Sequence, residues 1–119
     1  MPKYSQRSRL KLLTCDLRLQ AIFNEVIKTH DCTILDGHRG EDEQNTAYER
    51  GLSKLRYPMS SHNRIPSCAC DVAPFPIDWT DLDGFRTFAK EVKRIAKDLD
   101  VNVEWGGDWT TLVDMPHGS

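Results

Sequence analysis

The chain has 119 residues, enough for one hydrophobic core and too few for several. Apolar residues make up 39% and charged residues 29%, the balance of a globular domain rather than of a disordered or membrane-spanning chain. The formal net charge of −2 provides no general attraction to nucleic acid or to an anionic membrane.

No apolar run approaches the ~20 residues that cross a bilayer. The basic N-terminus lacks the apolar segment of a secretory signal peptide. Synthesis and folding in a cytoplasm are therefore expected, with Cys15, Cys32, Cys68 and Cys70 reduced. Lys3, Arg7, Arg9 and Lys11 read as a solvated basic end. No repeat, low-complexity tract or linker divides the chain, so residues 1–119 are expected to form one domain.

The first helix is marked by Leu19, Ile22, Phe23, Val26 and Ile27 at helical spacing, with Asp16 as its N-cap. "CTIL", Cys32 to Leu35, is short and β-branched and runs into "DGHRG", which predicts a strand entering a turn. Glu43 to Leu55 reads as a second, weaker helix with Ala47, Tyr48, Gly51 and Leu52 on one side. "SCACDVAP" reads as a strand that carries Asp71 and stops at Pro74. Thr80, with Asp83 three residues on, resembles a capping signature. The helix that follows has one continuous apolar face from Leu82 through Phe85, Phe88, Ala89, Val92, Ile95 and Ala96 to Leu99. "VNVEW" alternates like a strand, and "GGDWTTLVDMPH" reads as a glycine-rich loop leading to His117. The mixture predicts a small α+β domain.

"SSHNRIPSCACDVAP" gathers a histidine, two cysteines and an aspartate, and so poses a metal-site question. Cys68 and Cys70 form only C-x-C, which fits no zinc-ribbon template, and buried strand cysteines are the default reading. A catalytic zinc instead takes three His, Asp or Glu ligands and leaves one position open. His62, Asp71 and His117 could supply them from two adjacent strands and activate a water molecule, although spacing alone does not prove that they converge. If Asp71 faces a metal, strand alternation turns Cys70 toward the core.

Asp114, three residues before His117, fits either a general base or a turn residue ahead of proline. Arg39, at the end of a predicted strand, could bind a substrate carboxylate or stabilise an oxyanion, or could be a surface arginine. Gln44 could assist it or simply belong to its helix, and Ser60 could donate to substrate or shape its loop. Asp108 and Trp109 sit where they could form a cleft wall and contact substrate.

Three segments carry a family resemblance: "ILDGHRGEDEQNTAYERGLSKL", "SSHNRIPSCACDVAPFPIDWTD" and "WGGDWTTLVDMPH". They resemble the D-alanyl-D-alanine carboxypeptidase-like (VanY-type) zinc peptidases, and most closely their phage endolysin branch, the L-alanyl-D-glutamate peptidases. The similarity spans Thr14 to His117. The signature S-x-H, A-x-D, D-x-x-H stands here as Ser60-Ser61-His62, Ala69-Cys70-Asp71 and Asp114-Met115-Pro116-His117.

The resemblance implies one zinc ion on His62, Asp71 and His117, with Asp114 as general base. It also implies that Arg39 acts on substrate or transition state, with Gln44 at a family glutamine position. It implies a hedgehog/D-Ala-D-Ala peptidase-type fold with a central antiparallel sheet and flanking helices. The substrate implied is the peptide stem of bacterial peptidoglycan, cut by a monomeric endolysin that is released from the host cytoplasm through a holin. A D,D-carboxypeptidase releasing terminal D-alanine and an inactive wall-binding relative are the alternatives. Two departures stand out. Ser67 and Cys68 occupy the place where relatives carry glycine, and the chain ends at Gly118-Ser119, where relatives continue into a short strand; a clipped last strand is expected.

Overall fold

The computed structural model describes residues 3–105 and 110–113. Its elements are α1 (Gln6–Leu12), α2 (Leu17–Val26), β1 (Cys32–Asp36), α3 (Glu41–Glu49), a 3-10 turn (Ser61–Asn63), β2 (Ala69–Pro74), α4 (Leu82–Asp98), β3 (Val103–Trp105) and β4 (Thr110–Val113). The four strands form one antiparallel sheet in the order β1-β2-β4-β3. The expected α+β class holds.

The core lies between one sheet face and the helices α2 and α4. Leu19, Ile22, Phe23 and Val26 of α2 are buried, as their spacing requires, and Asp16 caps the helix by accepting the Arg18 N–H at 2.8 Å. From α4 come Phe85, Phe88, Val92, Ile95 and Ala96. The ends of the expected α4 stripe do not pack: Leu82 and Leu99 are exposed. The cap of α4 is Asp81, accepting from the Gly84 N–H at 3.0 Å, whereas Thr80 turns its hydroxyl to Asp78.

The basic end is solvated as expected at Lys3, Arg7 and Arg9, but it is also helical, and as α1 it serves the sheet edge. β1 is an outer strand, so part of its backbone lacks a strand partner. Ser8 is buried and its Oγ accepts the Ile34 N–H at 3.1 Å, while Lys11 Nζ donates to the Leu35 carbonyl at 2.7 Å. Tyr4 joins the core, with its hydroxyl donating to the Phe23 carbonyl. Only Ser8 and Leu12 of α1 are buried, too few to show as a periodic signal.

Three further expectations are corrected. Helix α3 ends at Glu49, where Gly51 takes the left-handed conformation (φ 75°) that closes a helix. Its proposed apolar side does not pack, since Tyr48 and Leu52 are exposed; its one buried residue is Gln44. The segment read as a glycine-rich loop contains β4, which pairs with both β2 and β3.

Strand alternation divides β2 cleanly. Cys68, Cys70 and Val72 enter the hydrophobic core. Asp71 points to the opposite face, opposite Thr110 on β4. Between β1 and β2 the register slips by one residue, from Ile34↔Val72 to Asp36↔Asp71. This bulge places Asp36 beside Asp71, on the face away from the core.

Candidate functional site

The site forms where the turn after β1, the 3-10 turn, β2 and β4 meet. Ser60 caps the 3-10 turn, its Oγ accepting the His62 N–H at 3.2 Å, and Asn63 Oδ1 accepts the Ser60 N–H at 3.0 Å. This reciprocal box fixes the backbone of His62. The His62 carbonyl in turn accepts the Arg39 N–H at 2.8 Å, joining the two loops.

The imidazole of His62 is buried, and its Nδ1 lies 2.7 Å from the Gly37 carbonyl. A carbonyl can only accept, so Nδ1 carries a proton, and whenever the ring is neutral Nε2 presents a lone pair. That lone pair faces Asp71 Oδ1 at 3.2 Å. Two acceptors held so close repel unless a proton or a cation lies between them. Ligands ~2.0–2.2 Å from one tetrahedral ion lie roughly 3.3–3.5 Å apart, so the pair fits two corners of a zinc site.

Asp71 is surrounded by donors. Thr110 Oγ1 donates to its Oδ1, and Arg39 Nη2 donates to its Oδ2 at 3.0 Å. Burial pushes this carboxyl toward the neutral form. His62, when its ring carries a second proton, together with Thr110 and Arg39, outweighs burial and holds Asp71 below the usual carboxylate range.

Arg39 is the hub of the described site. Besides Asp71 it binds Asp36 Oδ2 through Nε at 2.6 Å and Gln44 Oε1 through Nη1 at 3.1 Å. Three of its five N–H groups are engaged, and its charge is flanked by two carboxylates. Gln44 is fully buried and saturated. Its Oε1 also accepts from Asn63 Nδ2 at 3.2 Å, and its Nε2 donates to Ser53 Oγ at 2.9 Å and to the Leu55 carbonyl at 2.6 Å. It therefore has nothing left to offer a ligand and acts on the site by holding others in place.

The structure thus brings His62, Asp71, Arg39, Gln44 and Ser60 together. Asp108, Trp109, Asp114 and His117 lie outside the described residues. Among the described residues no group of three His, Cys, Asp or Glu side chains could hold a metal; the pair His62 and Asp71 is the described part of the expected ligand set. The cysteine alternative is not supported by the geometry, because all four thiols are buried and Cys68 and Cys70 point into the core.

Sequence reading missed Gly37, Asp36, Asn63 and Thr110. Gly37 has a legible cause in hindsight: a Cβ there would lie 2.5 Å from both the Lys11 carbonyl and Thr14 Oγ1. Thr110 needed the β2–β4 register, which no local pattern reveals.

A cleft of about 790 Å³ opens over this face, bounded by His62, Arg39, Ser60, Thr110, Leu112 and the segment 51–55. That volume suits a short peptide or a ligand of similar size.

Comparison with known proteins agrees with the motifs. The family model described as phage L-alanyl-D-glutamate peptidase matches residues 1–117. The L-alanyl-D-glutamate peptidase of Escherichia phage T5 is 31% identical, over 94% of this chain and 85% of the relative. The crystal structure of the Serratia marcescens L-Ala D-Glu endopeptidase ChiX superposes with a TM-score of 0.76 at 22% identity, covering 94% of this chain and 90% of that one. With a family match across nearly its whole length and a relative of this identity, the chain belongs to the phage L-alanyl-D-glutamate peptidase family.

Proposed function

We propose that the protein is a zinc-dependent endopeptidase of phage or prophage origin that cuts the L-alanyl–D-glutamyl bond in the peptide stems of bacterial peptidoglycan. Family membership supports the bond and the substrate. The observation that carries the chemistry is the His62 Nε2–Asp71 Oδ1 pair, 3.2 Å apart beside Arg39, where His62 lines one cleft and Asp71 the adjoining one.

His62, Asp71 and His117 would hold the zinc. When bound, such an ion supplies Lewis-acid chemistry, polarising a carbonyl and making water more acidic. The Gly37 carbonyl keeps His62 in the tautomer that leaves Nε2 available. Thr110 and Arg39 fix the rotation of the Asp71 carboxylate and favour its ionised form. Arg39 has two N–H groups unengaged among the described residues, which can donate toward the scissile carbonyl oxygen as negative charge builds there. Ser60 accepts from the His62 N–H and can donate its own proton to the substrate backbone. Asp114 takes the proton of the attacking water and delivers it to the departing amine. Asp108 and Trp109 are the further residues we assign to substrate binding.

Among the described residues no helix is long and apolar enough to cross a membrane. The setting we favour is synthesis in the host cytoplasm and release onto the wall through a holin, with the enzyme acting as a monomer. Digestion of purified peptidoglycan, with product masses read with and without a chelator, tests the proposal. New N-terminal D-glutamyl fragments that vanish with the chelator and return with zinc are expected. Release of free D-alanine alone would point to a carboxypeptidase, and sedimentation with walls without cleavage to a binding module.

A further inference from the structure

The carboxylate-binding role that the sequence suggested for Arg39 does not suit its surroundings. The guanidinium is already flanked by Asp36 and Asp71, so a third carboxylate would approach two like charges. The N–H groups of Arg39 not engaged among the described residues suit a single carbonyl oxygen that gains charge only during reaction better than a third full carboxylate.

The cleft has a second cation. Lys54 lines it from the segment between α3 and the 3-10 turn. It is exposed and, among the described residues, makes no ion pair or hydrogen bond. The described cleft lining includes no acidic side chain; its ionisable members are Arg39, Lys54 and His62. An adjoining cleft of about 720 Å³ shares Arg39 and Leu52 with it and is acidic on balance, with Asp36, Asp42, Glu43 and Asp71 in its walls against Arg39 and Arg50. Acidic groups are thus kept to one side of Arg39 and Lys54 to the other.

The position of Lys54 is built rather than incidental. Gln44 Nε2 donates to Ser53 Oγ and to the Leu55 carbonyl, the residues on either side of it. Ser53 Oγ also lies 3.2 Å from the Leu55 N–H, closing a tight local turn. A buried, saturated amide therefore holds the backbone of Lys54 at the cleft edge, and the same amide holds Arg39. One side chain sets the spacing between the oxyanion-facing arginine and the lysine.

The substrate chemistry supplies a matching anion. A D-glutamyl residue acylated on nitrogen by L-alanine retains two carboxyl groups. Chain continuation consumes one, and the other stays free a few bonds from the scissile nitrogen unless it is amidated. We propose that Lys54 is a specificity-determining residue that pairs with this remaining glutamyl carboxylate and so selects unamidated stems. The inference rests on the endopeptidase reading above.

The test uses the zinc-loaded enzyme and two synthetic stem peptides that differ only in that group, carboxylate in one and carboxamide in the other. Wild type should prefer the carboxylate. Lys54→Met should raise KM for the carboxylate peptide about tenfold at nearly unchanged kcat, and shift the carboxamide peptide less than about twofold, the scale of one lost charge-assisted contact. Lys54→Arg should keep most of the preference, and neither variant should change the melting temperature, since the side chain is exposed. Equal losses on both peptides, or no loss on either, would overturn the role of Lys54 and leave the peptidase reading intact. Failure of wild type to cut the alanyl–glutamyl bond in either peptide would overturn both.

Discussion

Arg39 Nη1 donates to Gln44 Oε1 across 3.1 Å, and this bond connects the floor of the site to its rim. On one side, Arg39 orients Asp71. On the other, Gln44 carries the segment with Ser53 and Leu55. Helix α3 presents little apolar surface, so its docking relies on this polar anchor rather than on a hydrophobic stripe.

Replacing Gln44 with leucine should therefore cost more than an ordinary helix substitution. It removes the acceptor of Arg39 Nη1 and one of the two acceptors of Asn63 Nδ2, and leaves the Leu55 carbonyl only the Ser53 hydroxyl at 3.2 Å; a buried polar group left unpaired costs ~1–3 kcal/mol. A total loss of about 2–4 kcal/mol is expected in urea unfolding, with faster hydrogen exchange across residues 51–55. An unfolding midpoint equal to wild type would show that the anchor is dispensable.

The thiols offer a direct check on the metal assignment. Cys15, Cys32, Cys68 and Cys70 are 1%, 4%, 2% and 0% exposed, which makes them core residues rather than ligands or nucleophiles. Burial pushes the Cys32 thiol up to about 11. Native protein should resist a maleimide at neutral pH, and unfolding in guanidinium should release four reactive thiols. Rapid labelling of any thiol in the folded protein would contradict this packing.

Much of this arrangement is legible in the sequence where the signal is local. The α2 and α4 faces, the Asp16 cap and the β2 alternation follow from periods of 3.6 and 2. The consequence that Cys70 and Asp71 point to opposite faces follows as well. What escaped depends on long-range pairing. α1 buries two residues and gains its role only by covering the edge of β1, 26 positions away between Ser8 and Ile34. Asp36 joins the site through a bulge, and Thr110 through a register that spans 39 positions to Asp71. Gln44 could be read as an aid to Arg39 or as an ordinary helix residue, but its role as an anchor escaped because its partners come from loops with no periodicity of their own.

Acid should destabilise the fold partly through Asp16. Its hydrogen bonds to the Arg18 side chain, opposed by partial burial and aided by the Arg18 N–H, hold its carboxyl below the usual range. A depressed folded-state value means the contribution is complete above the unfolded carboxylate value of ~3.9 and is lost as pH falls through the lower folded value. Asp16→Asn keeps a competent cap but removes the titration. Its stability-against-pH curve should fall less steeply below about pH 4 than that of wild type. An unchanged acid slope would exclude Asp16 as a contributor.

Gly37 links packing most directly to chemistry. Its carbonyl fixes His62 by accepting from Nδ1 at 2.7 Å, and its Cα sits against the end of α1. In Gly37→Ala the new methyl group would lie 2.5 Å from the Lys11 carbonyl and 3.0 Å from Cys15 Sγ, so the backbone must withdraw. Overpacking of this kind costs about 1–3 kcal/mol. Withdrawal also drags the carbonyl from His62 and loosens the tautomer and orientation that Nε2 needs. Loss of such an outer partner weakens metal binding about 10–100-fold. Competition with a chromophoric chelator should therefore show weaker zinc binding in Gly37→Ala. Gly40→Ala should bind zinc as wild type does, because among the described residues its added methyl meets nothing nearer than Glu43 Oε1, at 3.9 Å. Equal zinc affinity in Gly37→Ala and wild type would mean that His62 does not depend on this carbonyl, and the tautomer argument for its role as a ligand would fall.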